Sequence, residues 1–170
     1  MPTQTRPYRP PAEIEQLLNR FKVDFPSVRR QPSPWRLGLA TVVSVAGSLL
    51  ADAVIVAVGT AMFASTKGYV HFRPMDYGKL TVIGVIIGCL AWPVVTWISS
   101  APRWVFFRAA ILVTLVLLLP DLYLLLRHQP AAAVGILVVM HLAIGLVTYN
   151  ALVRIAPAQP APTRQPTLTR

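Results

Sequence analysis

The sequence predicts an all-α integral membrane protein: a four-helix bundle, N-in/C-in, preceded by a short cytoplasmic amphipathic helix. Three observations carry this. The chain has 170 residues, 55% hydrophobic and only 13% charged, with a mean hydropathy of +0.57; one soluble core does not need that much apolar sequence. The apolar residues gather into four stretches, each near the roughly 20 residues that cross about 30 Å of hydrocarbon. The 16 Lys and Arg residues fall unevenly on the two sides of those stretches, as membrane orientation requires.

Residues 1–36 form a basic cytoplasmic segment. Within it "PAEIEQLLNRF" predicts a helix over about 11–22, with Ile14, Leu17, Leu18 and Phe21 on one stripe and Glu13, Glu15 and Arg20 off it. Pro11 suits a helix start, and the two glutamates suit the positive end of the helix dipole. An apolar stripe flanked by arginines reads as a helix lying on the membrane surface; docking on a partner protein is the other reading.

The membrane domain covers 37–153, with spans at about 37–64, 80–99, 104–126 and 131–153. The first apolar run begins too late and is too long for the core of a cleavable signal peptide, so it is expected to stay in the membrane. Pro93 is expected to kink the second span, with its neighbours tolerating the break. In the third, Pro120-Asp121 is expected either to be crossed or to end the membrane-normal part, leaving "DLYLLL" near the outer interface. The 65–79 connection, "STKGYVHFRPMDYGK", is polar, aromatic and basic, and predicts a short hairpin or a cap over the bundle. The Pro- and Thr-rich tail, 154–170, is expected to be disordered.

Four spans place both termini on one side. That side carries twelve Lys and Arg residues and the opposite side four, Lys67, Arg73, Lys79 and Arg127, so both termini are expected in the cytoplasm. The net charge of +10 follows this topology and does not form a nucleic-acid footprint. The expected partners are the lipid bilayer and another membrane protein or a second copy of the chain. No cofactor is expected. Cys89 is alone and reads as a small buried hydrophobe. His71 lies in a polar loop with no second ligand at metal spacing. A bis-histidine haem site would need a second buried histidine, and both His71 and His128 are in loops.

Ionisable side chains inside a membrane are functional candidates by default. Three stand out: Asp52, Asp121 and His141. At about 1.5 Å per residue, Asp52 and His141 both lie roughly 15 to 18 Å below the outer boundary, and Asp121 lies roughly 7 to 10 Å higher. Equal depth makes Asp52 the expected partner of His141, with Asp121 over the same pocket. Ser44, Ser48 and Asp52 recur every four residues and share one face. Gly145 follows His141 by four residues. Gly84 and Gly88 form a GxxxG, read as a site of close helix approach. A structural hydrogen bond between Asp52 and His141 is preferred to a proton relay, because the cytoplasmic half below Ser44 offers few polar groups.

The features occur in a recognisable order: a mid-helix acid in the first span, "FRP" in the outer loop, "GCLAWPVVTW" in the second span, "LLLPD" closing the third and "VVMHLAIG" in the fourth. Over roughly residues 36 to 154 the chain resembles a family of small four-span membrane proteins of actinobacteria, classed as a domain of unknown function. The resemblance implies a bacterial inner-membrane location and four helices. It implies no activity, so no catalytic residue carries over. The amphipathic N-terminal extension departs from the short-tailed pattern. The expected function is therefore that of a non-enzymatic accessory or structural subunit acting through helix packing. The alternatives are a small proton-coupled transporter using Asp52 and His141, and an enzyme acting on lipids, for which the polar outer loop and His71 speak.

Overall fold

The structure is a computed structural model describing residues 11–23 and 31–159. It is all-helical: α1 (Ala12–Arg20), α2 (Pro34–Met62), α3 (Pro74–Ile98), α4 (Pro102–Leu126) and α5 (Ala131–Ile155). The last four, of 29, 25, 25 and 25 residues, are each long and apolar enough to cross a membrane. Proline sets where they begin. Pro34, Pro74 and Pro102 open α2, α3 and α4, where the missing N–H has no helical partner to lose, and Pro130 caps α5.

The helices form an antiparallel bundle organised around α5, which packs most extensively on α2 and then on α4, while α3 packs mainly on α2. One end of the bundle carries the connections 63–73 and 127–130 and is called the loop end here. The opposite terminal end carries the short α3–α4 connection, α1 and the end of α5. The outward faces are apolar, with Val42, Leu50, Leu80, Leu90, Leu112 and Leu126 each more than 60% exposed. In water such a surface would drive aggregation; against lipid tails it is the expected outer layer of a multi-pass membrane protein. α4 is the most peripheral of the four long helices, burying only Pro102, Phe106 and Asp121.

One boundary differs from the sequence reading, and the alternative left open at Pro120 is decided. α3 begins at Pro74 and not at Leu80, because Pro74 and the acid Asp76 start a helix within residues expected to be loop. α4 runs unbroken through Pro120, so the proline does not end that span. The ring removes one backbone hydrogen bond, and neighbouring groups in membrane bundles absorb such a loss. α3 likewise continues through Pro93.

The 63–73 connection is a cap and forms no hairpin. Two 3-10 turns, Ala64–Thr66 and Val70–Phe72, fold it over the loop end. Phe72 is buried there among Ala133, Ile136, Leu137 and Met140 of α5. His128 takes a left-handed conformation, φ 57°. The Gln129 and His128 amides return to the Leu124 and Leu125 carbonyls, a Schellman closure of α4.

The terminal end is stitched by side chains. Trp92, fully buried, donates from Nε1 to the Ala156 carbonyl at 2.8 Å. Thr96 Oγ1 donates to Gln31 Oε1 at 3.0 Å, and Ser99 Oγ to the Lys22 carbonyl at 2.5 Å. Lys22 closes α1 with φ 55° and a second Schellman pair, Val23 N–H to Leu18 and Lys22 N–H to Asn19. α1 is therefore fixed by its last residues to the end of α3, while Ile14, Leu17, Leu18 and Phe21 stay 37 to 54% exposed. The expected amphipathic helix is present, and none of its residues is buried. The arginines at 6, 9, 29, 30, 164 and 170, and the tail from residue 160, lie outside the described residues.

Candidate functional site

The polar side chains of the loop half group into two cross-helix pairs. Asp52 comes from a seam of α2, Ala40-Ser44-Ser48-Asp52, in which all four residues are fully buried. Spacing by four keeps them on one side of the helix, as the sequence predicted. Its Oδ2 accepts a hydrogen bond from Thr81 Oγ1 of α3 at 2.7 Å. The second pair joins α4 to α5: His141 Nδ1 lies 3.1 Å from Asp121 Oδ2.

His141 thus pairs with Asp121 and not with Asp52. Equal depth was the wrong criterion. The side of α5 on which His141 sits decides the matter, and Gly145, one turn away, shows which side that is. A Cβ on Gly145 would lie 3.1 Å from Thr114 Oγ1 of α4. His141 and Gly145 share the face turned to α4, while Met140 and Leu137 join the core under Phe72. Asp52 still lies close enough for a through-space coulombic interaction with the imidazole, but it hydrogen bonds elsewhere.

His141 Nδ1 also sits 3.0 Å from the Leu137 carbonyl, an acceptor for an Nδ1–H. Its contact with Asp121 lacks hydrogen-bond geometry, which leaves Asp121 Oδ2 buried without a hydrogen bond of its own. Asp52 Oδ1 and the Tyr69 hydroxyl are buried and unpartnered in the same way. Tyr69, in the capping connection, stacks edge-on against His71 and Phe72 at 5.3 and 5.1 Å. Burial first, and the Asp121 charge second, hold its phenol above the usual value of 10.0. His71 is exposed. The loop half therefore holds a polar centre built from all four long helices and the cap.

Ser48 is buried on the α2 seam, with its hydroxyl unpartnered, as are Ser44 and Thr148. Cys89 is buried beside the hydroxyls of Thr41 and Ser44. The glycines divide. A Cβ on Gly88 would meet Thr148 Cγ2 at an ordinary 3.5 Å, but nothing lies within 4 Å of a Cβ on Gly84, which is exposed. Among the described residues the expected close approach at Gly84 is absent, because the Gly84 face of α3 points away from its neighbours. Close approach occurs elsewhere: a Cβ on Gly59 of α2 would lie 2.7 Å from Ile136 Cγ1, and one on Gly47 3.0 Å from Val147 Cγ1.

Thr81 and Tyr69 belong to the polar centre and were not singled out from the sequence. Thr81 had a signal: with Val85, Cys89, Trp92 and Thr96 it forms a stripe of helical spacing, all five buried. Among the described residues, no three His, Cys, Asp or Glu side chains are grouped to hold a metal ion. No family model, curated protein or solved structure matches this chain.

Proposed function

We propose that this chain is a non-enzymatic accessory subunit of a bacterial cytoplasmic membrane, acting through helix packing, with the terminal end in the cytoplasm. One observation carries the reading: the polar groups of the loop half tie helices together, and they do not continue as a path. Asp52–Thr81 joins α2 to α3, and Asp121–His141 joins α4 to α5. Between Ser44 and Thr96 the interior is filled by Ala40, Trp92, Phe106 and Leu152. A transported proton would need groups across that apolar layer. The orientation rests on the excess of Lys and Arg at the terminal end. Membership of the small four-span actinobacterial family is part of the same proposal, supported by the order of "FRP", "LLLPD" and "VVMHLAIG" along the chain.

The second reading, a proton-coupled transporter, is favoured by one observation: Asp52 Oδ1, Asp121 Oδ2 and the Tyr69 hydroxyl are buried without partners, and His141 is close by. Proteoliposomes with an internal pH dye separate the two. The accessory reading expects no proton flux above empty vesicles. Flux that Asp52→Asn or His141→Gln abolishes would replace it with the transporter. Purification with and without residues 1–30 tests the accessory role directly: failure to recover a specific partner in either form counts against it.

A further inference from the structure

A groove runs between α4 and α5 in the terminal half, walled by Phe107, Ala110, Ile111, Thr114, Leu142 and Tyr149. Its walls are almost wholly apolar. Two arginines of α4, Arg103 and Arg108, stand toward its terminal end. Arg103 lies four residues before Phe107, on the same helix face and one turn nearer the boundary. Arg108 turns its guanidinium back over the Trp104 ring, 3.8 Å from the centroid, the geometry of a cation–π contact.

The helix direction favours this arrangement. Side chains lean toward the N-terminus of their helix, and the N-terminus of α4 is at this end, so both arginines reach toward the headgroup layer. The first turn of α4 also has no side-chain cap, and the partial positive charge of a helix start adds to that of the arginines. Among the described residues neither arginine lies within 4.0 Å of a carboxylate; the one such contact, His141–Asp121, is at the far end.

From this charge complementarity we propose that the α4–α5 groove is a binding site for one anionic phospholipid. Its acyl chain lies along Ala110 and Thr114, and its phosphate is held by Arg103 and Arg108. A lipid of no net charge would match the groove but not its mouth.

The test is native mass spectrometry of the full chain, released from micelles containing equal phosphatidylglycerol and phosphatidylcholine. The expected result is one retained lipid per chain, with phosphatidylglycerol favoured about thirtyfold, the combined effect of two surface cations at about 1 kcal/mol each. Arg103→Gln with Arg108→Gln should abolish the preference. Ala110→Phe, which fills the groove from α4, should reduce retention of the lipid itself. Equal retention of the two lipids would overturn the proposal, as would a preference that survives the arginine changes. Preference lost with the arginines but untouched by Ala110→Phe would remove the groove from it. Displacement by millimolar inorganic phosphate would mean that the site reads a free anion and not a lipid. Monodispersity of each variant on size-exclusion chromatography guards against misfolding, and Arg103→Lys with Arg108→Lys, which keeps the charge, should retain the preference.

Discussion

The two halves of this bundle are held by different physics. In the loop half, four helices meet through polar pairs: Asp52 takes the Thr81 hydroxyl, and His141 faces Asp121. In the terminal half they meet chiefly through shape, with the buried Trp92–Ala156 hydrogen bond beside it. Trp92 is fully buried and lies edge-on to Phe106 at 5.0 Å, Phe106 stacks on Tyr149 at 6.0 Å, and Leu152 closes the layer. Lipid tails are as apolar as leucine, so in a membrane neither kind of contact is driven by leaving water. Packing yields dispersion energy in proportion to the area that fits. A polar pair yields little net energy, because an unpaired polar group finds some other partner, but it fixes which faces meet. The terminal half should therefore supply most of the stability and the loop half most of the register.

The largest expected effect lies in the terminal half. Trp92→Ala removes the central side chain of that layer and its hydrogen bond to Ala156, and should destabilise by about 3–5 kcal/mol in reversible unfolding in detergent and denaturant. Trp92→Phe keeps most of the volume and loses the N–H, so it should cost only about 1 kcal/mol. Similar losses from both would mean that the hydrogen bond, and not packing, holds this half, and the contrast between the halves would fail.

Next in size is the α2–α5 seam, which runs through both halves. Gly59→Val drives a branched side chain into Ile136 and should cost about 1–3 kcal/mol. Adding Ile136→Ala should restore part of that loss, since it clears the atoms that the new Cβ would meet. No recovery in the double variant would show that the clash lies in the backbone approach itself.

How much of this was legible in the sequence follows from what each feature depends on. Span existence depends on composition summed over many residues, and all four spans are present. The Ser44-Ser48-Asp52 face depends only on the helical repeat, and it too is found. The partner of His141 depends on how α5 is rotated about its own axis and on which neighbour stands opposite. Depth along the chain carries no information on rotation, so Asp52 and Asp121 could not be separated by counting. Gly84 failed for the same reason: GxxxG marks a face able to approach a helix, without saying that this chain puts one there. The helix through Pro120 depends on the surroundings of α4, which no local rule contains.

A double-mutant cycle tests the rotation directly. The coupling between Asp121 and His141, measured with Asp121→Asn and His141→Gln, should be about 0.6 kcal/mol and at most about 1.7. Asp52 and Thr81 should couple to a similar degree. The Asp52–His141 cycle should give less, because those residues interact only through space. A larger coupling for Asp52–His141 than for Asp121–His141 would reverse the pairing and return His141 to α2.

The smallest expected effect concerns Gly84, and its sign is what matters. If α3 used this glycine to let a neighbour in, Gly84→Ala would push the two helices apart and destabilise the chain. The position is open within 4 Å, so the added methyl meets nothing. It should instead remove backbone freedom from the unfolded chain and improve helix propensity, a gain of about 0.5–1 kcal/mol. In the monomeric chain, unfolding should therefore shift slightly to higher denaturant. A loss that appears only at high protein-to-detergent ratio, and vanishes on dilution, would locate the use of Gly84 between chains. A loss independent of dilution would mean that α3 is rotated relative to its neighbours, and the Thr81–Asp52 pair on the same helix would have to move with it.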